Sequence, residues 1–438
     1  MVCAMKKYRS HYSQDVTEND YNKVITVAGW IEDIRNLGSI AFLILRDKKG
    51  TFQVTFLKKK NPDLFKKVVS LPRESVIVVQ GICKKNDQVR NGYEILPDGI
   101  EILSIAETPL PLGVVDKVEA ELETRLDNRF IDLRKPEQQA IFKIRNVVIA
   151  AVHDYLRSQN FIEVHTPNIV ASSSEGGTDV FQLKYFEKDA FLAQSPQLYK
   201  QSLMATGLDR VYEIAWYFRA EEHNTRRHLN ESTAVDIEMA YITDEEEVMR
   251  VLEKLVHAMW KKAGECKDEL AILNKKIVAP KLPFPRLTYD EVLKKLTKHG
   301  GDITWGQDLG TEEEKLLGNI MAQEKEEFYF VTKYPLESKP FYTMPDGQCS
   351  RSFDLGCKGV EIASGSQRIH NVNLLTERLK ACNLKPKDFE SYLKTFRYGM
   401  PPHGGFGFGI ERFLMELLDI DNIRECILFP RDRTRLTP

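Results

Sequence analysis

The most constraining feature of the sequence is a highly charged hairpin in the middle of the chain. Residues 218–231 contain three arginines, two histidines and three glutamates. The apolar runs that flank them, Val211–Tyr217 and Ala234–Ile242, are typical of β-strands. Charged turns usually just face solvent. Arg219, however, directly follows an apolar strand, where a guanidinium is costly to bury unless a planar anion pairs with it. A phosphate or carboxylate ligand would meet that need.

The composition describes a globular chain of two or three domains. Of its 438 residues, 42% are apolar and 29% are charged, and the formal net charge is −2. No apolar run approaches the roughly 18 residues that span a membrane, and no signal-peptide pattern is seen, so we expect a cytoplasmic protein without membrane contact. The seven cysteines lack zinc-site spacing and are expected to be reduced thiols.

The low net charge means that any polyanion must be held by local basic patches. One candidate patch is the C-terminal tail, which carries arginines at 424, 431, 433 and 435.

The hairpin resembles motif 2 of the class II aminoacyl-tRNA synthetases of subclass IIb. In detail it resembles the aspartyl enzymes of archaeal and eukaryotic type. Two other segments are similar to the remaining class motifs: Phe161–Pro167, after an amphipathic helix, to motif 1, and the glycine-rich Pro401–Phe413 to motif 3. The three motifs occur in order, and the resemblance covers nearly the whole chain. No Walker or Rossmann fingerprint competes with it.

The strand and helix pattern predicts an α+β chain. A helix at Pro62–Val69 after the third of several short β-like runs indicates an OB-fold barrel. The predicted runs are Val24–Ile31, Ile40–Arg46, Phe52–Phe56, Val76–Ile82, Tyr93–Ile95 and Ile100–Ile105. The class II resemblance implies a second domain with a mainly antiparallel sheet flanked by helices. We therefore expect an OB-fold anticodon-binding domain at residues 1–106 and a linker or hinge at 107–129. A class II catalytic domain should follow at 130–438, with a mainly helical insertion at 244–341.

Lys200 and Arg368 indicate the amino-acid substrate. Within a segment that matches the family, Lys200 offers a compact positive charge to a side-chain carboxylate, and Arg368 would be its bidentate partner. An asparagine amide would leave both cations unpaired, so the pair favours aspartate.

The resemblance implies the other site residues. The residues expected in catalysis are Arg219, Glu361 and Arg412. Those expected to bind aspartate are Glu175, Gln197, Lys200, Arg219, Asp236, Ser364 and Arg368. Those expected to bind ATP are Arg219, Ala220, Glu221, Arg227, His228, Leu229, Glu361, Gly409, Ile410, Glu411 and Arg412. The expected Mg²⁺ ligands are Glu361 and Ser364, with Asp354 as a further candidate. The expected anticodon contacts are Arg35, Phe42 and Gln53, with Glu32 and Arg90 as further candidates.

The implied activity is an aspartate–tRNA ligase that forms aspartyl-adenylate from ATP and L-aspartate and then charges tRNA(Asp), working as a homodimer. Glu32 and Arg90 occupy places where discriminating archaeal enzymes can carry tryptophan and lysine, which leaves charging of tRNA(Asn) open. Three alternatives are an asparaginyl enzyme, a tRNA-free paralogue that makes an amino-acid amide, and a catalytically silent RNA-binding protein.

Overall fold

The computed structural model describes residues 8–115, 120–171, 179–222 and 225–438. By their internal contacts these residues divide into two units, Met1–Asp132 and Leu133–Pro438. Within the described ranges, no helix is both long enough and apolar enough to cross a membrane.

The N-terminal unit contains a closed five-stranded barrel, which confirms the prediction from the strand pattern. Its elements are β1 (Val24–Asn36), β2 (Ile40–Arg46), β3 (Thr51–Leu57), α1 (Pro62–Val69), β4 (Val76–Lys85) and β5 (Tyr93–Ser104). Around the barrel the strands follow the order β1-β2-β3-β5-β4. The alternating apolar residues of each strand fill its interior, as period-two patterning requires.

Two details of this unit differ from the sequence-based expectation. We predicted separate strands at 93–95 and 100–105, but β5 is continuous through Pro97, and a register shift after Gln80 on β4 accommodates the proline. The segment 107–129 contains helix α2 (Leu122–Asp127), and α3 (Arg129–Asp132) follows it. Burial of one apolar side chain in each, Leu126 and Ile131, fixes these two short helices.

The C-terminal unit is built on an eight-stranded sheet. Its first half consists of α4 (Pro136–Ser158), β6 (Ile162–Glu163), β7 (Ile169–Val170), β8 (Gln182–Tyr185), β9 (Lys188–Leu192), α5 (Gln197–Leu203), β10 (Arg210–Phe218), β11 (Glu231–Ala240), α6 (Glu245–Ala263) and α7 (Lys267–Ile272). Its second half consists of β12 (Arg286–Thr288), α8 (Tyr289–Lys298), α9 (Thr311–Gln323), β13 (Phe328–Thr332), β14 (Pro345–Asp346), β15 (Cys349–Ser350), β16 (Ser352–Cys357), β17 (Val360–Arg368), α10 (Val372–Ala381), α11 (Glu390–Arg397), β18 (His403–Gly409) and α12 (Ile410–Leu418).

The sheet order is β12-β13-β16-β17-β18-β11-β10-β6. Five of its seven pairings are antiparallel, and only the outermost pairs at each edge, β12 with β13 and β10 with β6, are parallel. This arrangement confirms the predicted mainly antiparallel sheet. The segment 244–341 supplies four helices, α6 to α9, but it is more than a helical insertion, because β12 and β13 are strands of this sheet.

One face of the sheet is covered by helices α4, α6 and α12. On β11, Val235 and Ile237 belong to the core under these helices. Because side chains alternate along a strand, Asp236 and Glu238 lie on the opposite face. That opposite face, near the sheet centre, carries the polar cleft described next.

Candidate active site

A cleft of about 300 Å³ lies on the polar face of the central strands. Arg219 follows the end of β10, Arg368 ends β17, and Arg412 lies in the first turn of α12, yet all three line this cleft. The volume is at the lower end of the range typical of small-molecule sites. The fold therefore brings three cations from remote parts of the chain to one cavity.

Lys200 and Arg368 lie in a buried network of two cations and two acids. Lys200 Nζ is 2.7 Å from Oδ1 of Asp236 and donates to the Phe406 carbonyl at 3.0 Å. Arg368 Nε donates to Oε1 of Glu238 at 3.1 Å. The other oxygen, Glu238 Oε2, lies 3.7 Å from Lys200 Nζ and accepts no hydrogen bond. Arg368 and Asp236 line the cleft. Lys200 does not line it but contacts the Asp236 carboxylate.

Asp236 is held from a second side by Tyr217. The Tyr217 hydroxyl donates to Oδ2 of Asp236 at 2.7 Å. Gly407 on the neighbouring strand β18 leaves room for this contact, since a Cβ there would lie 2.8 Å from the Tyr217 hydroxyl oxygen. A glycine at this position therefore allows Tyr217 to hold the Asp236 carboxylate in place.

Gln197 also lines the cleft, and a buried polar chain supports it. Its amide donates to Gln201 Oε1 at 2.9 Å, and Gln201 Nε2 is 3.1 Å from Nε2 of His403. Burial lowers the pKa of His403 to about 4, so its ring is neutral at physiological pH. Gln197 is therefore positioned by uncharged partners.

Arg219 is fixed through the hairpin backbone. Its N–H donates to the Asn230 carbonyl at 2.9 Å, and the Asn230 side-chain amide donates back to the Arg219 carbonyl at 2.8 Å. The guanidinium carbon lies 5.3 Å from the centre of the Tyr217 ring. One asparagine thus fixes the backbone that presents this arginine to the cleft.

The expected ATP residues fall into three groups. Seven side chains line the cleft directly: Arg219, Glu221, Arg227, His228, Leu229, Glu361 and Arg412. Ala220 and Ile410 do not line it, and Ile410 is fully buried in the core. Gly409 and Glu411 border the cleft, but the Glu411 carboxylate is occupied by hydrogen bonds from Arg145 and Thr233. Glu411 therefore ties helix α12 to its neighbours.

Asp354 and Glu361 form the acidic end of the site. Asp354 pairs with Ser364 across β16 and β17, and it lines a small side cavity together with Glu361 and Glu314. Burial, reinforced by the charge of Asp354, raises the pKa of Glu361 to about 8, and burial raises the pKa of Glu314 to about 7. Such a group of carboxylates is stable in the charged form only with cations beside it.

Lys339 supplies one of these cations, and no sequence pattern singled it out. Its Nζ lies 2.8 Å from Oδ2 of Asp354 and 3.6 Å from the centre of the Tyr334 ring. Asp354 Oδ1 is buried and accepts no hydrogen bond. Glu238 and Tyr217 were likewise missed, because isolated residues of these types carry no signal in the sequence.

The donor set at the acidic end fits Mg²⁺. Among the described residues, no group of three or more His, Cys, Asp or Glu side chains is placed to hold a metal. Mg²⁺, however, takes few protein ligands and completes its shell with water and phosphate oxygens. Glu361, Ser364 and the unpartnered oxygen of Asp354 offer such oxygen ligands beside the cleft.

The expected anticodon residues share one outer face of the barrel. Arg35 pairs with Phe42 across β1 and β2, and Gln53 lies on β3 opposite Ile44. Glu94 on β5 was missed by the sequence analysis. Its carboxylate accepts hydrogen bonds from Thr55, which lies opposite Phe42, and from Asn86.

The two further anticodon candidates lie in different settings. Glu32 occupies a bulge of β1, with its carboxylate 3.4 Å from the buried Arg46 guanidinium. Arg90 is exposed in the loop between β4 and β5. Glu175, expected at the aspartate site, lies outside the described residues.

Comparison with known proteins gives concordant matches. Residues 121–433 match the family model for class II tRNA synthetases (D, K and N), and residues 25–103 match that for the OB-fold nucleic acid binding domain. The chain is 55% identical to the aspartate–tRNA(Asp) ligase of Thermococcus kodakarensis, over 98% of this chain and 100% of that protein. It is 51% identical to the aspartate–tRNA(Asp/Asn) ligase of Methanopyrus kandleri, over 98% and 99%.

Among solved structures, the asparaginyl-tRNA synthetase of Pyrococcus horikoshii in complex with asparaginyl-adenylate superposes with a TM-score of 0.90. The match covers 99% of this chain and 100% of that chain, at 34% sequence identity. The backbone is therefore shared with enzymes for two different amino acids, and the side chains of the cleft must account for the choice between them.

Proposed function

The chain belongs to the class II aminoacyl-tRNA synthetases of the D, K and N group, and from this premise we propose that it is an aspartate–tRNA ligase. The observation that carries the proposal is that Arg219, Arg368 and Arg412 line one cleft, and that Lys200 is held against Asp236, a carboxylate that lines the same cleft. The full-length relatives named for aspartate, at 51% and 55% identity, favour this function over the asparaginyl alternative.

We propose that the side-chain carboxylate of L-aspartate binds to Arg368 and Lys200. Arg368 is pre-oriented by Glu238 and Lys200 by Asp236, so little conformational entropy is lost on binding. Gln197 and Ser364 line the same part of the cleft and complete the hydrogen bonding, and Asp236 offers negative charge to the substrate ammonium. Asparagine would present a neutral amide in place of the carboxylate, so the charge-assisted hydrogen bonds from Arg368 and Lys200 would be lost, and this loss provides the discrimination.

In the first step, an oxygen of the substrate α-carboxylate forms a bond to the α-phosphorus of ATP. The bond from that phosphorus to the bridging oxygen of the β-phosphate breaks, and pyrophosphate leaves. Arg219 is positioned to contact both the attacking carboxylate and the α-phosphate. Arg227, His228 and Arg412 neutralise the rest of the phosphate chain, while Glu221 lies at the adenine end. Positioning and electrostatic stabilisation therefore provide the catalysis, without a covalent enzyme intermediate.

Glu361, Ser364 and Asp354 would hold Mg²⁺, which would neutralise phosphate charge in this step. Lys339 donates to one oxygen of Asp354, and the other oxygen accepts no hydrogen bond and would be available as a metal ligand. The Lys339 ammonium also compensates part of the negative charge of the acidic end.

In the second step, the terminal hydroxyl of the tRNA attacks the aspartyl carbonyl carbon, and AMP leaves. Recognition of the anticodon is assigned to the outer face of the barrel, where Phe42 can stack on a base and Arg35 and Gln53 can bind phosphate and base edges. We assign tRNA(Asp) as the substrate. The two relatives differ in name, one for tRNA(Asp) alone and one for tRNA(Asp/Asn), so charging of tRNA(Asn) is a second candidate activity.

We also propose that two copies assemble through the α4–β6 region. Strand β6 forms an edge of the eight-stranded sheet, and its Ile162 is 47% exposed. An edge strand with exposed apolar residues needs a cover.

A reducing cytoplasm is the proposed location, because all six cysteines among the described residues are free thiols.

The test is aminoacylation by the purified protein with labelled aspartate and purified tRNAs. The proposal requires aspartate to appear on tRNA(Asp). The same assay with tRNA(Asn) decides the second activity. Absence of any charged product with either tRNA would reject the proposal.

A further inference from the structure

A second cavity, of about 370 Å³, lies beside the cleft in the same unit. Its walls come from the C-terminal segment Arg431–Leu436 and from the loop after β10. Glu221 borders both this cavity and the cleft, so the two are neighbours. Of the residues assigned to the aspartate and ATP sites, Ala220 and Glu221 border this second cavity, whereas the cations assigned to the substrate and the phosphates do not.

The C-terminal segment is fixed to the hairpin that carries Arg219. Its Arg431 carbonyl accepts a hydrogen bond from the Asn230 N–H at 2.9 Å, and Arg431 pairs with Glu231 as an antiparallel bridge. Asn230 is the same residue that holds the Arg219 backbone. The position of the segment is thus coupled directly to the reacting centre.

A buried ion pair fixes the conformation of the segment. Arg424 Nε lies 2.5 Å from Oδ2 of Asp432, and both side chains are more than nine-tenths buried. The same carboxylate accepts the backbone N–H groups of Thr434 and Arg435 at 2.9 and 2.8 Å. Arg424 therefore neutralises the charge of Asp432, and the hydrogen bonds to Asp432 fix the backbone of the turn that carries Arg433 and Arg435.

Two arginines that line this cavity, Arg433 and Arg435, contact a carboxylate and a backbone carbonyl of solvent-exposed residues. Arg433, 52% exposed, pairs with Glu222 at 3.1 Å, and Glu222 is 80% exposed. Arg435 donates to the Thr437 carbonyl at 3.3 Å. An exposed ion pair such as Arg433–Glu222 contributes little to stability, so a stronger anion can replace the glutamate there.

Apolar surface accompanies these cations. Phe181 and Leu436 line the cavity and are 37% and 82% exposed. Guanidinium groups next to exposed aromatic and aliphatic side chains are the combination that binds single-stranded nucleic acid, through phosphate contacts and base packing.

The proposed reaction itself requires such a strand nearby. The terminal hydroxyl of the tRNA must reach the aspartyl-adenylate next to Arg219, and the single-stranded 3′ end must therefore cross the rim of the cleft. We propose that the C-terminal cavity binds the phosphates of this 3′ end through Arg433 and Arg435. This inference rests on the proposed function.

The experiment compares Arg433→Ala/Arg435→Ala with Arg397→Ala. Arg397 is a matched control because it is an exposed arginine paired with a glutamate, Glu390, in the same unit. Direct binding of tRNA is measured by filter retention at several salt concentrations. Adenylate formation is measured by pyrophosphate exchange without tRNA.

We expect the double variant to bind tRNA on the order of ten-fold more weakly, with exchange within about two-fold of wild type. The slope of log affinity against log salt should fall by about 0.7 for each lost phosphate contact. The control should bind like wild type.

Equal tRNA affinity and equal salt slopes in the double variant and the control would overturn the proposal. A parallel loss of exchange in a folded double variant would also overturn it, because the segment would then act on the reacting centre and not on the tRNA. Arg433→Gln, which changes only an exposed side chain, keeps the test valid if the double variant does not fold. Failure of the proposed function itself would show separately, as wild-type protein that binds tRNA but gives no exchange with aspartate.

Discussion

Arg368 Nε lies 3.1 Å from one oxygen of Glu238, whose other oxygen lies 3.7 Å from the ammonium of Lys200. A single buried carboxylate thus orients Arg368 and lies within ion-pair distance of Lys200, which Asp236 holds at 2.7 Å. In the described part of the chain this relationship joins β11, β17 and α5, three elements far apart in sequence.

Arg368→Lys should weaken aspartate binding while leaving ATP binding almost intact. Lysine keeps the charge but cannot make the bidentate contact or the Glu238 contact at the same angle. We expect the KM for aspartate in pyrophosphate exchange to rise about 10- to 100-fold. The KM for ATP is the internal control, and an equal rise in both constants would contradict the assignment.

Arg219→Ala should lower the rate of adenylate formation by about 10³-fold or more, as loss of a transition-state arginine does in phosphoryl-transfer sites. Single-turnover formation of aspartyl-adenylate measures this rate. Arg226→Ala is the matched control, because Arg226 is exposed in the same hairpin and lies outside the cleft lining. Near wild-type adenylate formation in the Arg219 variant would refute its role.

Phe42→Ala should raise the KM for tRNA and leave tRNA-independent pyrophosphate exchange unchanged. Stacking of one base on an aromatic ring contributes about 1–3 kcal/mol, which corresponds to roughly 5- to 150-fold in affinity. Leu103→Ala, on β5 of the same barrel and 42% exposed, provides the comparison. Identical tRNA kinetics in the two variants would show that the Phe42 ring does not bind the anticodon.

Glu416→Gln should stabilise the protein at alkaline pH. Burial raises the pKa of the Glu416 carboxyl to about 7, from an ordinary value of 4.5. The folded state therefore binds the proton more tightly than the unfolded chain, and the stability contributed below pH 4.5 is lost as the pH rises through 7. Glutamine does not ionise, so its advantage in unfolding free energy over wild type should widen by about 1–2 kcal/mol between pH 5 and pH 8.

Denaturant unfolding at both pH values measures this difference. Glu377→Gln, an exposed glutamate on α10, is the control and should show no such widening. A constant difference between wild type and Glu416→Gln across this pH range would disprove the proposed cost of ionising Glu416.

The sequence predicts the barrel well because its strands are runs rich in β-branched and aromatic residues, separated by clear turn residues. The same applies to α4, whose apolar residues recur at helical spacing from Ile141 onward. Strand β13 was missed as part of the sheet, since it is short, buried on both faces and follows the acidic helix α9. A strand that is buried on both faces shows no alternation of apolar and polar residues. Strand β13 can therefore be recognised only from its pairing with β16 in the folded sheet.

The residues of the site likewise fall into those that a local sequence pattern identifies and those that only the fold identifies. Arg219, Arg368 and Arg412 could be singled out because each lies in a segment that resembles a known motif. Lys339 and Glu238 could not, because their roles depend on contacts with Asp354 and Lys200 that only the folded chain creates. Long-range ion pairs of this kind leave no local pattern in a single sequence.

The most direct test of the account is pyrophosphate exchange by the wild-type protein with L-aspartate and with L-asparagine in turn. The paired cations Lys200 and Arg368 predict rapid exchange with aspartate and a specificity constant for asparagine lower by about 10²-fold or more. Equal exchange with the two amino acids, or exchange with asparagine alone, would contradict the claim that these cations select the substrate.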